Sequence, residues 1–202
     1  MPKRSASDAA KTREQVVEAA LHRFATQGFA PTRTADVARD AKVSEGALFH
    51  HFKDKTALFK AVVERLQQQF VVEVVASTST LTVPMEVFLT GSRRSLELSE
   101  NSDYLRIVMV EAQSVLGGMG WREQDARVGL MLIEPNLRAI AGRDAIPDPV
   151  LRPMALLVMG LINETIFALA RKDPGVTIDG CITLLEAAVL VWVQRLGSAN
   201  TK

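Results

Sequence analysis

Residues 32–55, TRTADVARDAKVSEGALFHHFKDK, constrain this chain more than any other stretch. Ala35, Val37, Ala38 and Ala41 recur at helical spacing behind Thr32 or Thr34, either of which can serve as an N-cap, so a helix of about two turns is predicted before Lys42-Val43. Ser44 then opens a second helix carrying Gly46, Ala47, Leu48 and Phe49. A turn this short forces two small helices to cross steeply, which is the helix-turn-helix arrangement. The second helix is expected to enter a DNA major groove.

With the segment before it, this stretch resembles the DNA-binding domain of the TetR family of bacterial transcriptional repressors. The resemblance rests on Ala20-Leu21-His22-Arg23-Phe24, Gly28-Phe29-Ala30-Pro31-Thr32, Asp36-Val37-Ala38, Val43 to Phe49 and His51-Phe52-Lys53-Asp54-Lys55. It is close over roughly the first quarter of the chain and one of architecture beyond about residue 60. Lys42 stands where the family usually has a turn glycine, so the turn either holds a non-glycine residue at positive φ or takes another shape. Phe49 replaces the usual tyrosine, and its hydroxyl is gone. Glu45 places a carboxylate early on the second helix, to accept from cytosine N4 or to face solvent.

The resemblance implies an all-α chain: an N-terminal three-helix helix-turn-helix domain (1–56) joined by a long helix to a C-terminal helical ligand-binding and dimerisation domain (57–202). Composition agrees, with 48% hydrophobic residues, ample for a core, and only 5% aromatic. About nine helices and no sheet are expected. Net charge is only +1, yet residues 1–55 hold ten Lys/Arg against seven Asp/Glu and all three histidines, while the remainder holds fourteen against sixteen. The basic end is the expected nucleic-acid end. A single cysteine, Cys181, excludes an intrachain disulfide and fits a reducing cytoplasm. No signal peptide is recognisable, and Asn163-Glu164 and Glu186 make the two most apolar segments look too polar to span a membrane.

Residues 1–10 are small, polar and basic and are expected to be disordered, with Lys3 and Arg4 either solvated or tracking DNA. Thr12 and Gln15 make a capping box for a first helix with an apolar stripe of Val16, Val17, Ala20, Leu21 and Phe24, ended by Gly28. Val37, Val43, Leu48 and Phe52 complete a small core with it. A long helix from Lys55 carries Leu58, Phe59, Val62, Val63, Leu66, Phe70 and Val74. Residues 77–82 form a connector, Pro84 opens a helix, and another runs from Ser102 to about Leu116. A glycine-rich break at 117–120 precedes a helix from Trp121 to about Ala141, which Pro135 is expected to kink or restart. The last two helices, from Asp148 or Pro153 to about Arg171 and from near Thr177 to Leu196, are apolar almost all round. They are expected to pair with their copies in a homodimer, the alternative being that they are the central helices of a monomer.

For DNA contact, matching the family motif selects Thr34, Ser44, Gly46, Phe49, His50, His51 and Lys55. Thr34, Ser44, His51 and Lys55 can donate to phosphates, Gly46 lets the backbone approach, and Phe49 or His50 can reach base edges or thymine methyls. The adjacent histidines do not make a metal site, because neighbours on a helix point about 100° apart and no third ligand lies near. Neither a metal nor a cofactor is expected. Polar groups inside apolar helices mark candidate effector contacts: Glu111 and Asn163, with Tyr104 and Trp121 near helix starts. The implied function is a cytoplasmic homodimeric repressor of an inverted-repeat operator in double-stranded DNA, released by a small-molecule effector. The rivals are a protein-binding adaptor with a degenerate helix-turn-helix and an enzyme using a C-terminal pocket, for which no nucleophile elbow, phosphate loop or metal-ligand set is present.

Overall fold

The computed structural model describes residues 6–142 and 146–199, so Lys3 and Arg4 lie outside the described residues. Among the described residues there are nine helices and no strand, counting residues 102–115 as one helix and a tight turn at Glu97–Glu100 with the helix before it. They are α1 (Ala6–Gln27), α2 (Thr34–Asp40), α3 (Glu45–His51), α4 (Lys55–Thr78), α5 (Pro84–Leu96), α6 (102–115), α7 (Gly118–Ala141), α8 (Asp148–Ala170) and α9 (Ile178–Ala199). The all-α expectation holds.

Two N-termini differ from the sequence reading. Helix α1 already includes residues 6–10, because an alanine-rich run without a breaker continues the helix upstream. Thr12 is therefore no cap: it is buried inside α1 and its hydroxyl donates to the Asp8 carbonyl at 2.9 Å. At α2 the N-cap is Arg33, with no side-chain cap bond. Thr32 instead donates to the Gly28 carbonyl at 2.7 Å, and Thr34 is the first helical residue.

The chain divides into two compact units. The first comprises the residues up to Gln68 together with Ser102–Trp121, and the second comprises Gln69–Asn101 with the residues from Arg122 onward. In the first unit Val16, Val17, Ala20 and Phe24 of α1 are buried with Val37, Leu48 and Phe52, and with Leu58, Phe59, Val62 and Val63 of α4. Val43 and Leu21 are only half-buried. Phe24, Phe29 and Phe59 form an aromatic triad, with centroids 5.1 to 5.8 Å apart. Within α6 the segment Leu105–Glu111 is π-helical, between α-helical Ser102–Tyr104 and Ala112–Val115.

In the second unit α5 packs on α8 and α9. Pro84 sits at the start of α5, where its missing N–H costs nothing. The glycine-rich break is shorter than expected: Gly117 alone adopts positive φ (+77°), and α7 has begun by Gly118. Helix α7 also continues through Pro135 without a restart. Pro135 is exposed there, so water can take the carbonyl it leaves unbonded. Helix α8 buries Leu151, Met154, Ala155, Val158, Ile162 and Ile166 along one face and leaves Leu156, Leu157 and Leu161 outside. Its mean hydropathy of 1.7 over 18 residues is enough, by composition, for a membrane span, so Asn163-Glu164 do not make it too polar as expected. The segment is one-sided in the fold, and its Asn163 is bonded to Asp125.

Candidate nucleic-acid interface

The turn between α2 and α3 is built on Lys42, which adopts φ +57°. Of the two turn shapes open from sequence, this is the non-glycine left-handed one. The turn closes by bonds from Lys42 N to Arg39 O (3.1 Å) and from Val43 N to Ala38 O (3.0 Å). Ser44 then caps α3, its hydroxyl oxygen accepting from Ala47 N at 3.1 Å. That leaves the hydroxyl hydrogen available to a phosphate. Leu48 is fully buried and sets the angle of α3, while Glu45, Gly46, Phe49 and His50 face solvent.

Gly46 is informative. A Cβ there would meet nothing nearer than the Ser44 Oγ, at 3.9 Å. The protein itself therefore has no use for a glycine at this position, which costs helix stability. Phe49 is 46% exposed, a large apolar ring held out on a surface helix. His50 and His51 stack edge to face at 5.3 Å, and His51 lies 6.4 Å from Phe52.

An open concavity of about 720 Å³ brings Thr34, Phe49 and Lys55 together with Arg33 and Asp54. Lys55 is engaged inward there: its Nζ donates to the carbonyls of Phe29 (2.9 Å), Thr32 (3.0 Å) and Ala30 (3.1 Å) and lies 4.3 Å from the Phe29 ring centroid. An ammonium has three hydrogens, so in this conformation none is left for a phosphate. Asp54 caps α4 by accepting from Ala57 N at 2.7 Å. On the far side of α2, Arg23 Nε donates to Asp40 at 2.5 Å and reaches Asp36 at 3.8 Å. The bond from Arg23 holds the Asp40 carboxyl below its ordinary value. Arg33, Lys42 and Lys53 are exposed cations on the head that the motif match did not select; their exposure follows from the short helices, which bury only one face.

The four candidate effector residues are divided between the two units. Tyr104, Glu111 and Trp121 belong to the first unit and Asn163 to the second. Glu111 accepts from Phe29 N at 2.9 Å and from Arg106 Nε at 3.3 Å. Trp121 is buried and its indole N–H donates to the Val108 carbonyl at 2.6 Å. Asn163 donates to Asp125 at 2.8 Å, across α8 and α7. Burial pushes the Asp125 carboxyl up, against the bond from Asn163 and the charge of Arg122.

Residues 16–62 match the family model described as bacterial regulatory proteins of the tetR family, and residues 85–191 match that of the tetracyclin repressor-like C-terminal domain. A probable acrEF/envCD operon repressor of Escherichia coli K12 is 42% identical over 59 residues. That match covers 29% of this chain and 27% of the repressor, so the chain spans about a quarter of the length of the first curated relatives it matches. A helix-turn-helix transcriptional repressor of Mycobacterium tuberculosis is 29% identical over 197 residues, covering 94% of this chain and 98% of its own. The crystal structure of a TetR-family transcriptional regulator from Pectobacterium atrosepticum superposes with a TM-score of 0.66 at 26% identity, covering 96% of this chain and 97% of that one. With one model on the N-terminal helices and another over more than half of the chain, the protein belongs to the TetR family of DNA-binding transcriptional regulators.

Proposed function

We propose that this protein is a cytoplasmic homodimeric repressor that binds an inverted-repeat operator and is released by a small-molecule effector. The observation that carries DNA reading is α3 itself: a capped helix, anchored by Leu48, that holds Phe49 and His50 outward beside a glycine the protein does not need. Thr34, Ser44 and His51 fix register on phosphates, Gly46 allows close approach, and Phe49 and His50 meet base edges or thymine methyls. Lys55 acts from inside, holding the loop between α1 and α2 in shape. The outward leucines of α8 and Leu184, Leu190 and Val191 of α9 support pairing with a second copy. An effector acts by preferring the conformation that does not bind the operator.

Fluorescence polarisation of labelled duplex at rising salt tests the reading against the adaptor alternative. Log affinity falling steeply and linearly with log salt supports a DNA binder, since each phosphate contact releases counterions. Absence of duplex affinity at low salt would favour the adaptor.

A further inference from the structure

We propose that Arg106 and Glu111 are positioning residues for operator binding: the wide turn of α6 presents them as a two-pronged clasp on Gly28 and Phe29, which holds α1, α2 and the start of α4 in the reading arrangement. This rests on the reading of α2 and α3 as the DNA-binding head. The two residues lie five positions apart, which on a regular α-helix of 3.6 residues per turn would separate them by about 140° around the axis. The π segment Leu105–Glu111, bonded from i to i+5, brings such positions back over one another.

Each prong meets a backbone group that needs a partner. Arg106 Nη1 donates to the carbonyls of Ala25 (3.0 Å) and Thr26 (3.4 Å), in the last turn of α1, where carbonyls have no helical partner and a cation is favoured. Glu111 Oε2 accepts from Phe29 N at 2.9 Å, and the pair is joined by the 3.3 Å bond from Arg106 Nε to Glu111 Oε1. Phe29 is held from its other side by Lys55, which binds its carbonyl and faces its ring. The same Lys55 reaches the Thr32 carbonyl, one residue before the N-cap of α2. Gly28 is shaped to the clasp: it sits at φ +86°, and a Cβ on it would fall 2.6 Å from both Arg106 Nη2 and Glu111 Oε1. The π turn thus lets a segment some eighty residues downstream set the loop that joins α1 to the reading helices.

The test compares full-length Glu111→Ala and Glu111→Gln with wild type, by fluorescence polarisation on a duplex selected by the wild-type protein, at a temperature where circular dichroism shows each fully folded. Glu111→Ala is expected to weaken binding by about tenfold. Glu111→Gln, which keeps an oxygen for the Phe29 N–H, is expected to recover most of that loss. The slope of log affinity against log salt stays at the wild-type value, because no phosphate contact is removed. Amide exchange at Phe29 speeds up in the alanine variant and not in the glutamine one. Should Glu111→Ala fail to fold, Arg106→Lys keeps the charge but loses the fork, and is expected to weaken binding about threefold with unchanged slope. Folded variants that bind within the error of wild type, or that lose affinity with a reduced slope, overturn the proposal. A wild-type protein with no duplex affinity would bring down the reading of the head itself, and the proposal with it.

Discussion

Gly46 and Lys55 sit within ten residues of each other and make opposite demands on the head. Glycine at a helix start lowers stability, and around Gly46 the protein leaves open space. Gly46→Ala is therefore expected to raise the urea-unfolding free energy by about 0.5 kcal/mol and to weaken duplex binding by tenfold or more. Equal affinity in polarisation would show that DNA does not approach this backbone. Lys55 is expected to behave in reverse. Lys55→Ala strands three carbonyls and should cost about 1–2 kcal/mol of stability while leaving the salt slope of DNA binding unchanged. A slope reduced by about one contact at full stability would return Lys55 to the phosphates. The motif located both residues but not the direction of the lysine, because that depends on where the carbonyls of a loop more than twenty residues upstream point.

Helices with a clean apolar stripe were legible from their spacing: Leu58, Phe59, Val62, Val63, Leu66, Phe70 and Val74 of α4 are all buried. The start of α1 was misread because Thr12 and Gln15 fit a capping box while the alanines before them fit a helix equally well. The π turn of α6 left no trace, since Leu105, Ile107, Val108, Met109 and Val110 are apolar in any register. Between α7 and α8 the Asp125–Asn163 pair gives a pH-dependent expectation. The folded carboxyl titrates above its ordinary 3.8, so its contribution favours the fold below 3.8 and is lost as pH rises through the raised value. At pH 7 the half-buried charge is a cost. Asp125→Asn, which keeps an oxygen for Asn163, is expected to raise the urea midpoint at pH 7 and to lose that advantage below about pH 3.8. A lower midpoint at pH 7 would mean that the charge is needed there.

For the whole molecule, the apolar character of α8 and α9 was readable from sequence, and the fold shows which leucines remain outside: Leu157 is 61% and Leu184 72% exposed. Fully covering a leucine yields about 1.5–3 kcal/mol, which several such residues on each protomer would set against the cost of association in the proposed dimer. Leu184→Lys is expected to convert a dimer to a protomer in sedimentation at micromolar concentration and to abolish binding to paired half-sites. The grouping of residues 102–121 with the first unit was not legible, because it depends on bonds between residues about eighty positions apart. The most direct test of the account is selection of bound sites from random duplex DNA by the full-length protein. Two half-sites in inverted repeat, their centres about one helical turn or a little more apart, are the predicted result. Enrichment of a single unpaired half-site, or of no sequence at all, would contradict it.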